Sequence, residues 1–159
     1  MRPRAIDEIL DSYDRAWNEE DPERCLEHLR ACLTDEGVYC DPTVEIVGSN
    51  ALAEHIGRTR SAFGGFRIER TSGFEEHHGY ERFTWRMTSK DDEPIVEGFD
   101  VVRLAADGRF VSILGFFDPF PGAVEEQSCD DRPRHLGSRP CSRFPSSASR
   151  CRLLMASGP

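Results

Sequence analysis

Lysine is almost missing from this chain: Lys90 is its single lysine, against nineteen arginines. A bias so uniform says more about a GC-rich coding sequence than about chemistry. Long apolar runs are missing too. None approaches the ~20 residues that span a bilayer, and the opening stretch MRPRAIDEIL has no apolar signal core before it turns acidic. The expectation is a cytoplasmic protein with no targeting segment and no membrane partner. The six cysteines contain no CxxC pair. Cys25 and Cys32 stand seven apart, two turns along one helix face; Cys40 falls in a strand-like stretch; Cys129, Cys141 and Cys151 are scattered near the C-terminus. That spacing argues against a metal site and a disulfide framework, so free thiols are expected. Positive charge is scarce as well. Residues 1–121 hold 14 Arg and Lys against 25 Asp and Glu, a net −11, whereas residues 122–159 hold 6 against 4, a net +2. An acidic domain repels phosphate backbones, which argues against nucleic acid as a partner.

What the chain does contain divides in two. Its 159 residues suffice for one domain with a sizeable core, since domains commonly run to roughly 100–150 residues. After Phe120-Pro121-Gly122 the composition shifts. Residues 122–159 are rich in Ser, Arg and Pro and show no sustained periodicity. Such a segment buries too little apolar surface to offset its chain entropy, so it is expected to be a disordered tail. Residues 1–121 form the domain. Ile6, Ile9, Leu10, Tyr13 and Trp17 recur at helical spacing. Asp21-Pro22 supplies a cap and a first-turn proline for a second helix, with Leu26, Leu29 and Leu33 on its buried face. Short strands over 38–41 and 44–47 flank Asp41-Pro42. Gly48-Ser49-Asn50 opens a third helix, with Leu52, His55, Ile56, Thr59 and Phe63 along one side. Strands follow over 66–74, 80–89, 94–105 and 109–118, broken at His78-Gly79, Asp91-Asp92 and Asp107-Gly108. Three helices followed by a meander of strands predict an α+β fold, with helices on one face of a curved antiparallel sheet shaped as a half-cone. The space between helices and concave sheet then becomes a pocket for an apolar small molecule.

The stretches YDRAWNEEDPE (13–23), DEGVYCDP (35–42), VGSNALAEHI (47–56) and EGFDVVRLAADGRFVSILGFF (97–117), in this order, resemble the nuclear transport factor 2-like superfamily. The SnoaL-like and ketosteroid-isomerase-like members are the nearest in pattern. Together these stretches span nearly all of residues 5–120, and the tail has no counterpart. The resemblance implies a cystatin-like half-cone and, on the ketosteroid-isomerase pattern, a proton-shuttling acid at Asp41. It implies an oxyanion hole from Tyr13 and Asp100, with no metal or organic cofactor. His55 stands where that enzyme is aromatic, and the segment TVEIVG is compact; both suit the broader SnoaL-like group better than a steroid isomerase.

Strand alternation tests the placement independently, since side chains two apart share a face. Tyr39 goes with Asp41. Phe83, Trp85 and Met87 share a face opposite Arg82, Thr84 and Arg86. Asp100 goes with Val102 and Leu104; Val111, Ile113, Gly115 and Phe117 form one row. Laid on the family pattern, these rows and Trp17 point inward, making Trp17, Tyr39, Phe83, Trp85, Met87, Ile113 and Phe117 the substrate-binding wall. A carboxylate there loses solvation and its pKa rises toward working pH. Phe99, Val101, Phe110, Leu114 and Phe116 fall on the other face, which predicts a homodimer through it.

The resulting expectation is a small-molecule acid/base enzyme of isomerase, cyclase or dehydratase type acting next to a carbonyl. Asp41 is its general base, Tyr13 and Asp100 its oxyanion donors, and His55 a relay. The alternative is a non-catalytic ligand-binding or dimerisation module in which Asp41 caps the Asp-Pro turn and Asp100 pairs with an arginine. An epoxide-hydrolase-like use of the pocket needs Arg86 to point inward, against its strand parity.

Overall fold

Apolar residues three and four apart on α1 (Ile6–Asn18) bury one stripe of that helix: Ile9, Leu10, Tyr13, Ala16 and Trp17. The fold, taken from a computed structural model, is described for residues 6–118; the proposed tail 122–159, with Cys129, Cys141 and Cys151, lies outside the described residues. Asp21 accepts hydrogen bonds from the backbone N–H groups of Glu23 and Arg24 at 2.9 and 3.0 Å. With Pro22 in the first turn, this starts α2 (Pro22–Cys32), as a capping aspartate should. The buried face of α2 is Cys25, Leu29 and Cys32. Leu26 is only half-buried, and Leu33 leaves the helix to begin β1 (Leu33–Asp41).

From Asp41 the chain turns at Pro42 into β2 (Val44–Val47) and then enters α3 (Ser49–Ala62). The remaining strands are β3 (Phe66–Arg70), β4 (Glu75–His77), β5 (Tyr80–Ser89), β6 (Pro94–Leu104) and β7 (Phe110–Phe117). The sheet order is β2-β1-β7-β6-β5-β3, with β4 also on β5. Three helices pack on this curved sheet. All pairs are antiparallel except β1 with β7, so the sheet is mixed rather than purely antiparallel. The reason is topological: the chain leaves β1, passes through a helix and the outer strands, and returns beside β1 running the same way. Parallel neighbours require such a long crossover. The strand expected over 66–74 is two strands, because Ser72 to Phe74 leave the ladder between the two segments that pair with β5.

One side chain changes face. Phe110, expected outside, is completely buried and meets the Tyr13 ring at 5.7 Å. A register shift between Arg103 and Leu104 in the β6–β7 ladder breaks simple alternation there and turns Phe110 inward. The outer face keeps Phe99 stacked on Phe116 at 5.0 Å, with Leu114 and Phe116 40% and 44% exposed. Arg86 lies outside as its parity requires, paired with Glu97 at 2.6 Å. Among the described residues, no helix is long and apolar enough to cross a membrane.

Candidate active site

Asp100 is buried in mid-β6, at 3% exposure. Strand β5 brings Trp85 beside it and helix α1 lowers Tyr13 onto it. The indole Nε1 of Trp85 donates to Oδ1 at 2.8 Å, and the Tyr13 hydroxyl donates to Oδ2 at 3.1 Å. Burial pushes the Asp100 carboxyl up to about 7; the two donated hydrogen bonds pull against that rise, and the nearby Asp41 charge adds to it. Burial, then the Asp100 charge, raises the Tyr13 hydroxyl well above its ordinary value, so it remains a donor.

Asp41 splits its two oxygens between two tasks. Oδ1 accepts from the Thr43 backbone N–H and hydroxyl, both at 2.7 Å, and from the Val44 N–H at 3.0 Å, which closes the turn Pro42 makes. Oδ2 turns inward, accepting from the Tyr39 hydroxyl at 2.9 Å with His55 Nε2 3.8 Å away on α3. Both readings of Asp41 therefore hold at once: it caps the turn and it faces the interior. Burial lowers the His55 pKa against the opposing pull of Asp41, so the imidazole is neutral at pH 7.

Two strand glycines let these groups converge. Gly98 lies directly across from Trp85, and a Cβ there would come within 2.7 Å of the indole ring. Gly115 lies across from Asp100; a Cβ there would sit 3.2 Å from Asp100 Oδ1 and 3.5 Å from Asp41 Cβ. The two acids thus flank one glycine. Between them and the helices lies a cavity of about 50 Å³. That is room for a few water-sized groups, at roughly 10–15 Å³ for each by this measure.

Residues 9–113 match the SnoaL-like domain family. The chain belongs to the SnoaL-like family. A structure described as a "putative isomerase of the SnoaL-like family" from Agrobacterium tumefaciens is 33% identical; the match covers 70% of this chain and 95% of that one, with a TM-score of 0.65. A protein of unknown function with a cystatin-like fold from Methylobium petroleophilum matches over 92% of this chain and 99% of its own, at 16% identity and a TM-score of 0.61. A "putative polyketide cyclase" from Sinorhizobium meliloti matches over 67% of this chain and 92% of its own, at 14% identity and a TM-score of 0.54. The last two show likeness of fold alone. A comparison with curated proteins finds no match.

In this SnoaL-like domain the cavity wall includes Tyr13, Trp17, Tyr39, Asp41, His55, Phe83, Trp85, Met87, Asp100 and Phe117. Ile113 is not on the wall: it is completely buried in the core. Its row of β7 does point inward, but Phe117 is the member of that row that lines the open space. Sequence reasoning missed Asp14, Thr43, Thr59, Ile68 and Val96, which also line the cavity. Parity with Asp100 was a usable signal for Val96, four residues earlier on β6. Thr59 was legible as one turn beyond His55 on the same helix side. Asp14 carried no such signal, because its place depends on Arg70 of β3, whose Nε donates to it at 2.7 Å. No group of His, Cys, Asp and Glu suited to a metal ion occurs among the described residues.

Proposed function

We propose that this SnoaL-like domain is a small-molecule acid/base enzyme of isomerase, cyclase or dehydratase type, moving a proton at a carbon next to a carbonyl. The observation that carries the reading is Asp100: a buried carboxyl on the cavity wall, cradled by Trp85 and Tyr13, with its pKa pushed up to about 7. Such a group is matched to proton transfer near neutral pH. When Asp100 takes up a proton at Oδ2, it donates to the Tyr13 oxygen and frees the Tyr13 O–H to turn toward a ligand carbonyl. Across Gly115 from Asp100, Asp41 carries the base function together with His55 of α3, the neutral imidazole accepting the proton and the Asp41 carboxylate stabilising the imidazolium that results. The kinship with an isomerase-described relative supports the same class.

The test is proton exchange. Incubated with simple ketones in D2O, the protein is expected to accelerate deuterium incorporation next to the carbonyl. Asp41→Asn and His55→Gln are each expected to lower that acceleration by about 100-fold or more. No acceleration by the intact chain over a panel of small ketones overturns the reading in favour of a binding module. The acid/base pair also sets a pH profile. Exchange is expected to fall above about pH 7 as Asp100 ionises, and to fall again in acid as His55 becomes charged. We further propose that a second copy of the chain covers the outer sheet face around Phe99, Leu114 and Phe116.

A further inference from the structure

Five donors of the cavity wall are committed. Tyr13 and Trp85 donate to Asp100, and Tyr39 and the Thr43 hydroxyl donate to Asp41. The Thr59 hydroxyl donates to the His55 carbonyl. Apart from the Trp17 indole and the His55 imidazole, what faces the open space is acceptor and π-face: carboxylate oxygens among Trp17, Tyr39 and Trp85. Charge is unbalanced in the same direction. The Asp100 residue is 3% exposed and the Asp41 side chain 4%, yet among the described residues no arginine or lysine lies within ion-pair distance of either; the nearest nitrogen base is the neutral His55. The third wall acid, Asp14, differs: its Arg70 partner sits at 2.7 Å. Buried carboxylates normally find a counter-charge, and aromatic faces stabilise a cation placed over them.

We propose that the ligand of this cavity carries a positively charged nitrogen, as a protonated or quaternary amine, seated between Asp41, Asp100 and the faces of Trp17, Tyr39 and Trp85. The inference rests on the reading of this cavity as the ligand site and names the substrate class within it. The chemistry fits that reading, because a positive nitrogen near the reacting carbon acidifies its C–H and eases proton removal by the His55 and Asp41 pair. It also supplies the counter-charge that Asp41 lacks, while Asp100 keeps the proton that the reaction uses.

The two tryptophans of the chain, Trp17 and Trp85, both line the cavity, so intrinsic fluorescence reads its occupancy. The experiment titrates the intact protein with tetramethylammonium chloride and with tert-butyl alcohol, compact ligands of similar shape that differ in charge, at matched ionic strength. Tetramethylammonium is expected to saturate the signal at a concentration about tenfold or more below the alcohol. Asp41→Asn is expected to erase most of that preference while leaving the alcohol titration in place, whereas Asp100→Asn, which replaces a carboxyl that is protonated in the working site, is expected to lower it only in part. If one of these variants does not fold, the other and the wild-type comparison still decide. An alcohol that binds as well as or better than the cation overturns the proposal and leaves the cavity as an apolar ligand site. Silence from both ligands overturns it too. Ketone exchange in D2O then separates the cases: where it persists, proton transfer stands without a cation preference, and where it is absent, both readings fall.

Discussion

An aspartate in the middle of a strand is costly unless something nearby uses it, and Asp100 binds its proton far more tightly when folded than when unfolded. Its ordinary value of 3.8 rises to about 7 on burial. Between those values the native state holds a proton that the unfolded chain has lost, so stability falls as pH rises through that window and levels off above about 7. At ~1.36 kcal/mol per unit the change is at most about 4 kcal/mol. His55 works in the opposite sense: its lowered pKa makes the folded state weaker as pH drops below the ordinary 6.5. Calorimetry of Asp100→Asn from pH 4 to 8 (about the window above) is expected to lose the decline that wild type shows toward pH 7; an unchanged decline assigns it to other groups. Gly98 is the second residue to test. Gly98→Ala drives a methyl into the Phe116 carbonyl oxygen of β7 and the Trp85 ring, and the strain is expected to cost about 3 kcal/mol or more. Losing the Trp85 donor also removes a force that holds the Asp100 pKa down, so carboxyl NMR should show Asp100 titrating higher than in wild type.

At the scale of elements, one amide bridges helix α1 and the sheet edge. The Asn18 side chain, at the end of α1, donates to the Ile68 carbonyl at 2.7 Å and accepts from the Ile68 N–H at 2.8 Å. It pairs with edge strand β3 as another strand would, and Arg70 adds ion pairs to Asp14 and Asp11 one turn and two turns back. Asn18→Ala leaves a half-buried backbone N–H and C=O without partners and is expected to destabilise the fold by about 2 kcal/mol. Thermal unfolding measures the loss, and β3 amides should exchange faster with solvent. The helices themselves were legible because their cues are local: apolar spacing in α1, and the Asp21-Pro22 start of α2. Asn18 was not legible as a joint. Its partner lies 50 residues away, and a polar residue at a helix end reads from sequence as an ordinary terminus.

For the whole molecule, acidity and the bare outer face point to different behaviours. The net −11 of residues 1–121 favours solubility, while Leu114 and Phe116 stand 40% and 44% exposed on the central strand of the sheet. Burying that strip against a second copy is the expected resolution. Sedimentation at micromolar protein should find a dimer, and Phe116→Glu should shift it to monomer without loss of helical signal. A wild-type chain that sediments as a monomer removes this interface.

The order of helices and strands, the Asp-Pro turn and the inward rows of β5 and β6 follow from residues within a few positions of one another, so the sequence by itself determined them. Kinship with the SnoaL-like family was readable for the same reason, since its stretches keep their order and spacing. Only the tertiary structure decided that β1 runs parallel to β7, that a register shift turns Phe110 inward, and that Ile113 stops short of the cavity. It alone decided where the hydroxyl of Tyr13 points: onto a carboxylate 87 residues further along the chain. A hydrogen bond takes its direction from whatever the fold brings near. That depends on distant segments meeting, and neither periodicity nor composition encodes it.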